Sequence, residues 1–302
     1  MKLGFFSLIT PEYSVEEILE PAKRWGFEGI EWRIAAPGQP RVGDVNFWTG
    51  SRCSIDPARL HEELPRVVQQ AHAAGLASPS ICPYSTCGDL KELDRIFGIA
   101  AESGVKLVRV SADRYDRTRS YNEQFETMRR GAAQVAALAH RHGVRACMLQ
   151  HARTLVPSAS ACRRLVDGLD PRDFGLYLDV GHFVCEGYED FGIVVDLLRD
   201  YIAEIHLRNG WLDSEGQSES GFTAHTPRWG ALDRGNVNLG LLAETLGAAN
   251  WNGWLMLEDF SARPTEQRMT EGIAVMHRMV ALAATRTPAA TATPAATVTL
   301  PL

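Results

Sequence analysis

Short apolar runs alternate with helix-type amphipathic stretches along most of the chain. Residues 2–8 form the first run. Ser14-Val-Glu-Glu17 follows with the spacing of a capping box, and predicts a helix over 17–25 that Gly26 stops. Gly29-Ile-Glu-Trp-Arg-Ile34 then reads as a strand, so the unit is strand–helix–strand over about 30 residues, the size of a parallel crossover. The pattern recurs. Asp56-Pro57 caps a helix ending near residue 74, before a short strand at 78–82. Helix 91–103 leads into strand 105–110, helix 121–142 into strand 144–150, helix 158–169 into strand 173–178, helix 190–199 into strand 202–207, and helix 238–249 into strand 253–257. A last helix covers 265–284.

Eight strands and eight helices in alternation, with strands rich in Val, Ile and Leu, predict a parallel sheet buried on both faces. The expected fold is α/β: a closed (β/α)8 TIM barrel over residues 1–285, a single domain. A doubly wound open sheet is the alternative, but Ser7-Leu-Ile-Thr-Pro11 after the first strand carries none of the glycines of a phosphate-binding turn. Two strand-to-helix connections are long, 35–55 and 208–237, and belong to the catalytic face of a barrel. Residues 286–302 are Thr, Ala, Pro, Val and Leu with one Arg, and read as a disordered tail.

Composition narrows the function. Apolar residues are 45% and charged residues 23% of 302, which excludes a disordered chain. The net charge of −6 and the lack of a basic block speak against nucleic acid, and no apolar run is long enough to span a membrane. The amino terminus does not read as a secretory signal. Six cysteines without CxxC spacing suit reduced thiols and a cytoplasmic location.

In a barrel, the informative residues are polar ones at the carboxyl ends of strands. Four places stand out: Glu31 in strand two; Asp179 with His182 in Leu176-Tyr-Leu-Asp-Val-Gly-His182, where Gly181 would permit a tight turn; His206 in Ile202-Ala-Glu-Ile-His-Leu207; and Glu258 after Trp254-Leu-Met-Leu257. Each alone is compatible with a helix cap or a core histidine. Together, Asp, His and Glu on consecutive strand ends project into one mouth. A thiolate-free oxygen and nitrogen donor set suits Mn²⁺, Mg²⁺, Co²⁺ or Zn²⁺. Trp32, Trp48, Trp211 and Trp229 lie in or near the loops on this side.

These residues, with LGFFSL, AKRWGFEGIEWR, LYLDVGH, EIHLRN and WGALDRGNVNLGLLAETLGAANWNGWLMLED, give the chain a resemblance to the xylose-isomerase-like TIM-barrel superfamily of sugar phosphate isomerases and epimerases. The resemblance implies one divalent metal, Mn²⁺ favoured, held by Glu, Asp, His and Glu on strands five to eight. Asp179, His206 and Glu258 match three of these positions. It also implies a substrate contact from His182 and a site-lining place for Glu31; Arg208, just after His206, is placed to reach a substrate oxygen, and Trp229 is expected to line the sugar site with an aromatic face. Strand five departs: in Val144-Arg-Ala-Cys-Met-Leu-Gln-His151 no carboxylate stands at the metal position, and Gln150 is the expected fourth ligand, with His151 as the alternative.

The chemistry implied is proton abstraction next to a carbonyl of a small sugar or polyol, with Glu258 as base, His182 or His151 as acid, and a metal-stabilised enediolate. With one carboxylate of the usual pair absent, a one-base isomerisation fits better than two-base epimerisation. β-Elimination from a keto-sugar or inosose by the same site is the alternative. A phosphodiesterase of the AP-endonuclease type lacks ligands here, and a non-catalytic sugar-binding barrel or partner subunit stays open, as does homo-oligomerisation.

Overall fold

A computed structural model describes residues 1–37, 47–186 and 189–286 of the chain. Eight parallel strands alternate with helices: β1 (Lys2–Phe6), β2 (Gly29–Ile34), β3 (Ser80–Cys82), β4 (Leu107–Val110), β5 (Arg145–Gln150), β6 (Phe174–Asp179), β7 (Ile202–Leu207) and β8 (Trp254–Leu257). Each strand pairs with its sequence neighbours, and β1 pairs with both β2 (Gly4 opposite Gly29) and β8 (Lys2 opposite Trp254), which closes the sheet. The eight-unit barrel expected from the alternation is the observed fold.

The predicted helix signals act as read. Ser14 N–H donates to Glu17 Oε2 (2.8 Å) and Glu17 N–H to Ser14 Oγ (3.2 Å), the reciprocal pair of a capping box, just before α1 (Leu19–Trp25). Gly26, with φ of +95°, ends that helix in the left-handed conformation glycine tolerates. Asp56 caps the 3-10 turn Pro57–Arg59 that opens α2 (Leu60–Ala73), and Ser158 caps α5 (Ala159–Val166). The outer layer is completed by α3 (Leu90–Glu102), α4 (Tyr121–His142), α6 (Val180–Glu186), α7 (Phe191–Leu198), α8 (Leu239–Ala248) and α9 (Thr265–Ala284). The main hydrophobic core lies between this layer and the sheet. A smaller cluster of Cys147, Leu149, Tyr177 and Ala203 fills the barrel interior. No helix of the described residues is long and apolar enough to cross a membrane.

Three segments differ from the sequence reading. Ser54–Ile55, at the end of the 35–55 connection, pairs in parallel with Arg33 and Ile34 of β2. The chain after β6 does not make a tight turn: it enters the additional helix α6 directly, and His182 lies on that helix. Within 208–237 the chain forms an antiparallel hairpin, Asn209–Gln217 against Thr223–Gly230. Most of its residues are polar or exposed on both faces, so the apolar alternation that marks a strand is missing. Part of the 35–55 connection and residues 287–302 of the expected tail lie outside the described residues.

Helices α8 and α9 pack closely at Gly247. A Cβ there would stand 2.2 Å from the Ala283 carbonyl oxygen, a backbone atom that cannot step aside. Gly247→Ala is expected to destabilise the fold by about 1–3 kcal/mol. Gly240→Ala, on the same helix, meets nothing nearer than 3.4 Å and should cause no loss. Urea denaturation of the two variants decides the point, and equal midpoints would contradict the close-packing argument.

Candidate active site

All eight strands run in one direction, so their inward residues converge at the carboxyl rim. A β-bulge between β6 and β7 helps to set the phase of β7, and Glu204 and His206 share one face. The backbone ladder continues one residue past β8, where Glu258 N–H donates to Leu207 O (2.9 Å), and this holds Glu258 at the rim. Asp179 is the last residue of β6, and Glu31 sits midway along β2.

The side chains form a continuous run of polar contacts. Ser80 Oγ donates to Glu204 Oε2 (3.0 Å), and Glu204 Oε1 meets His206 Nε2 (2.9 Å). His206 Nδ1 meets Glu258 Oε1 (2.8 Å), while Glu31 Oε2 lies 3.3 Å from His206 Nε2. Arg208 Nη2 then bridges Glu258 Oε2 and Asp179 Oδ2, the latter at 2.8 Å. Asp179 Oδ1 accepts from Gly181 N–H (3.0 Å), and His182 Nε2 lies 3.3 Å from Asp179 Oδ2. Glu31, Asp179, Glu204 and His206 are all fully buried.

Burial and pairing set the charges. Burial alone would lower the pKa of His206, but the carboxylates of Glu31 and Glu258 and hydrogen bonds to Glu204 and Glu258 raise it well above the ordinary histidine value. Burial would raise that of Glu258, yet Arg208 and His206 hold it below the usual carboxylate range. For Asp179 burial outweighs the attraction of Arg208, and the pKa rises to about 6. Glu31 is pushed up to about 8 by burial, against the pull of His206.

A cavity of about 380 Å³ opens above this network, with Glu258, Arg208, Arg109, His151, Tyr84 and Trp48 among its walls. Three larger depressions, about 760, 840 and 580 Å³, lie at the amino ends of strands and among outer helices, away from the buried acids. Of the residues singled out from the sequence, Glu258, Arg208 and His151 face the mouth cavity. Asp179, His206 and Glu31 lie beneath it. His182 is buried under His151, their ring centroids 3.7 Å apart, and Trp229 packs edge-on against His182 and over the Arg208 guanidinium. Trp32 faces the helix layer and donates to Ser78 Oγ (2.9 Å).

Gln150 is not brought to the others. The alternation expected along β5 is observed, but the face shared by Ala146, Met148 and Gln150 is the outer one: Ala146 and Met148 pack in the main core, while Cys147 and Leu149 fill the barrel. The Gln150 amide donates to Pro157 O (2.7 Å), and Leu149 and His151 take the cavity side. Four metal ligands from strands five to eight therefore do not assemble, and Arg208 already lies across Asp179 and Glu258. The acid–imidazole group that could hold a cation is Glu31, His206 and Glu258, with one ligand atom from each within 4.8 Å of the others. Neither Glu31 oxygen has a hydrogen-bond partner among the described residues.

Several contributors escaped the sequence reading. Arg33 donates to Tyr84 Oη, Ser54 Oγ and the Trp48 carbonyl, each at 3.0 Å. Arg109 lies over the Tyr84 ring (5.0 Å), and Glu204 anchors His206 from below. The available signal was charge at two-residue spacing inside apolar strands, Glu31 with Arg33 and Glu204 with His206.

His151 yields a pH prediction. Its Nδ1 donates to Ala152 O (2.7 Å), and burial lowers its pKa to about 4 despite that hydrogen bond. Between the folded value and the ordinary value near 6.5, the unfolded chain binds the proton more readily. The stability tied to this residue is thus present above about pH 6.5 and is lost as pH falls towards 4. Replacing His151 by Gln should remove on the order of 3 kcal/mol of the wild-type difference between pH 7 and pH 4, read by urea unfolding. Parallel pH profiles for the two proteins would count against it.

The fold has counterparts among known proteins. The family model described as xylose isomerase-like TIM barrel matches residues 19–279. An inosose dehydratase from Bacillus velezensis is 27% identical over 150 residues, 45% of this chain and 47% of that protein, so the alignment spans about half of the relative. Among solved structures, the 3-keto-D-glucoside 4-epimerase from E. coli in its apo form superposes with a TM-score of 0.68 at 18% identity, over 92% of this chain and 99% of that one. A D-psicose 3-epimerase from Clostridium cellulolyticum H10, solved with D-tagatose, gives 0.67 at 15% identity, over 93% and 99%. By the extent of the family match, this chain belongs to the xylose isomerase-like TIM barrel family.

Proposed function

We propose that the protein is an enzyme that moves a proton at a carbon next to a carbonyl in a small sugar or polyol, as an isomerase or epimerase. One observation carries the reading. The cavity brings together a carboxylate held ionised (Glu258), two guanidinium groups (Arg208, Arg109) and a neutral imidazole (His151), beside aromatic faces from Tyr84 and Trp48. Glu258 takes the proton. Arg208 and Arg109 stabilise the oxyanion that develops on the carbonyl oxygen, a role that fixed cations fill well in a water-poor site. Because Nδ1 of His151 is occupied by Ala152 O, its Nε2 is the lone-pair nitrogen that faces substrate hydroxyls. The similar proteins, an inosose dehydratase and sugar epimerases, support the substrate class.

A divalent metal, with Mn²⁺ favoured, would draw on Glu31, His206 and Glu258, and when bound would supply Lewis-acid polarisation of the carbonyl. All six cysteines are free, which supports a reducing, cytoplasmic setting.

Elimination of water is the second reading, favoured by a specific feature. Across the mouth from Glu258, β5 presents Leu149 and His151 instead of a second carboxylate. One base suffices for β-elimination, because the proton that Glu258 takes from carbon can pass to the leaving hydroxyl on the same face and depart as water, whereas exchange between opposite faces needs two bases.

The test is proton exchange in D₂O over a panel of keto- and aldo-sugars and inososes, followed by NMR, with loss of water monitored in parallel. Glu258→Gln should lower exchange by about 100-fold or more while the fold is retained. Exchange at the wild-type rate in a folded Glu258→Gln protein would remove Glu258 as the base.

A further inference from the structure

Arg208 occupies a socket that several elements build. Its stem crosses Gly181, where a Cβ would stand 2.8 Å from Arg208 Cβ and 2.9 Å from its Cγ, so any side chain at 181 would displace it. Its guanidinium lies between two rings, 4.8 Å from Trp229 and 4.6 Å from Phe260. Nη2 contacts both Asp179 and Glu258, and the residue is only 7% exposed. Asp179 and His206 lie beneath it, while Arg208 and Glu258 form the cavity wall. A long cation that is walled by two aromatic faces, threaded past a glycine and bonded to carboxylates from two strands is fixed by the fold.

This position is where Asp179 and Glu258 would otherwise share a metal. The two carboxylates converge on one guanidinium nitrogen, and strand five faces the same mouth with Leu149, which has no donor atom, and with His151 just past its end, whose Nδ1 is tied to Ala152 O. We propose that Arg208 is the resident cation of the Asp179–Glu258 pair, so that Asp179 serves to hold the guanidinium and is not a metal ligand in the native protein. A divalent ion would have to displace Arg208 to use both carboxylates, against the repulsion of a positive charge a few ångströms away. The inference concerns which cation the pair holds, and stands apart from the identity of the reaction proposed above.

Mn²⁺ affinity, measured by calorimetry and by the paramagnetic resonance of free Mn²⁺ on metal-free full-length protein, tests it without any substrate. In the wild type, Asp179→Asn should leave Mn²⁺ binding, weak or strong, unchanged within about twofold. Arg208→Met should tighten binding by about tenfold or more, and adding Asp179→Asn to that variant should abolish the gain. Arg208→Gln is the second route should the methionine variant not fold, with circular dichroism and thermal melting as the check. Two results would overturn the proposal: loss of Mn²⁺ affinity on Asp179→Asn alone, which would make Asp179 a native ligand, or no gain from either folded Arg208 variant. Failure of the sugar-exchange assay would leave this measurement intact, so the two ideas fail separately.

Discussion

Charge taken out of water governs the centre of this barrel. Glu31, Asp179, Glu204 and Glu258 sit where carboxylates are costly unless compensated, and His206, Arg208 and Arg109 are buried among or near them. Compensation takes two forms. Arg208 and His206 keep Glu258 ionised, and burial shifts Glu31 towards its neutral form against the pull of His206. Other features follow from this requirement: the missing side chain at Gly181, the rings of Trp229 and Phe260 around Arg208, and Ser80 beneath Glu204.

The same compensation shapes the chemistry. A carboxylate stabilised by two cations is a weak base while both stay in place. A substrate oxygen that shares the Arg208 guanidinium where it stands would weaken its hold on Glu258 and return basicity when the proton must move, linking binding to catalysis through one guanidinium. His151 and His182 pack as tilted neutral rings, their charged forms disfavoured by burial and by nearby arginines. The mouth therefore holds both an ionised acid and a neutral imidazole.

Much of the scaffold was legible in the chain. The capping box at Ser14, the proline-led cap at Asp56 and Gly26 act locally, through backbone groups a few residues away, and they appear in the structure as read. The carboxyl-end positions of Asp179, His206 and Glu258 were equally legible, because strand direction in an alternating pattern fixes which end holds the site. The hairpin at 209–230 was not, because polar strands exposed on both faces carry no burial signal. Helix α6 was masked by Gly181, which reads as a turn residue but serves here to make room for the Arg208 stem.

By itself, then, the sequence determined the barrel, its punctuation and the kinds of group at its mouth, because hydrophobic period and local capping are short-range properties. Tertiary structure alone decided how those groups are partnered. Alternation along β5 says that Ala146, Met148 and Gln150 share a face, but only the closed sheet shows that this face looks outward and leaves Leu149 in the mouth. Nothing local to Arg208 reveals that carboxylates 29 residues before it and 50 after it would meet at its guanidinium. Period fixes relative orientation, whereas absolute phase and ion pairing depend on where distant strands come to rest.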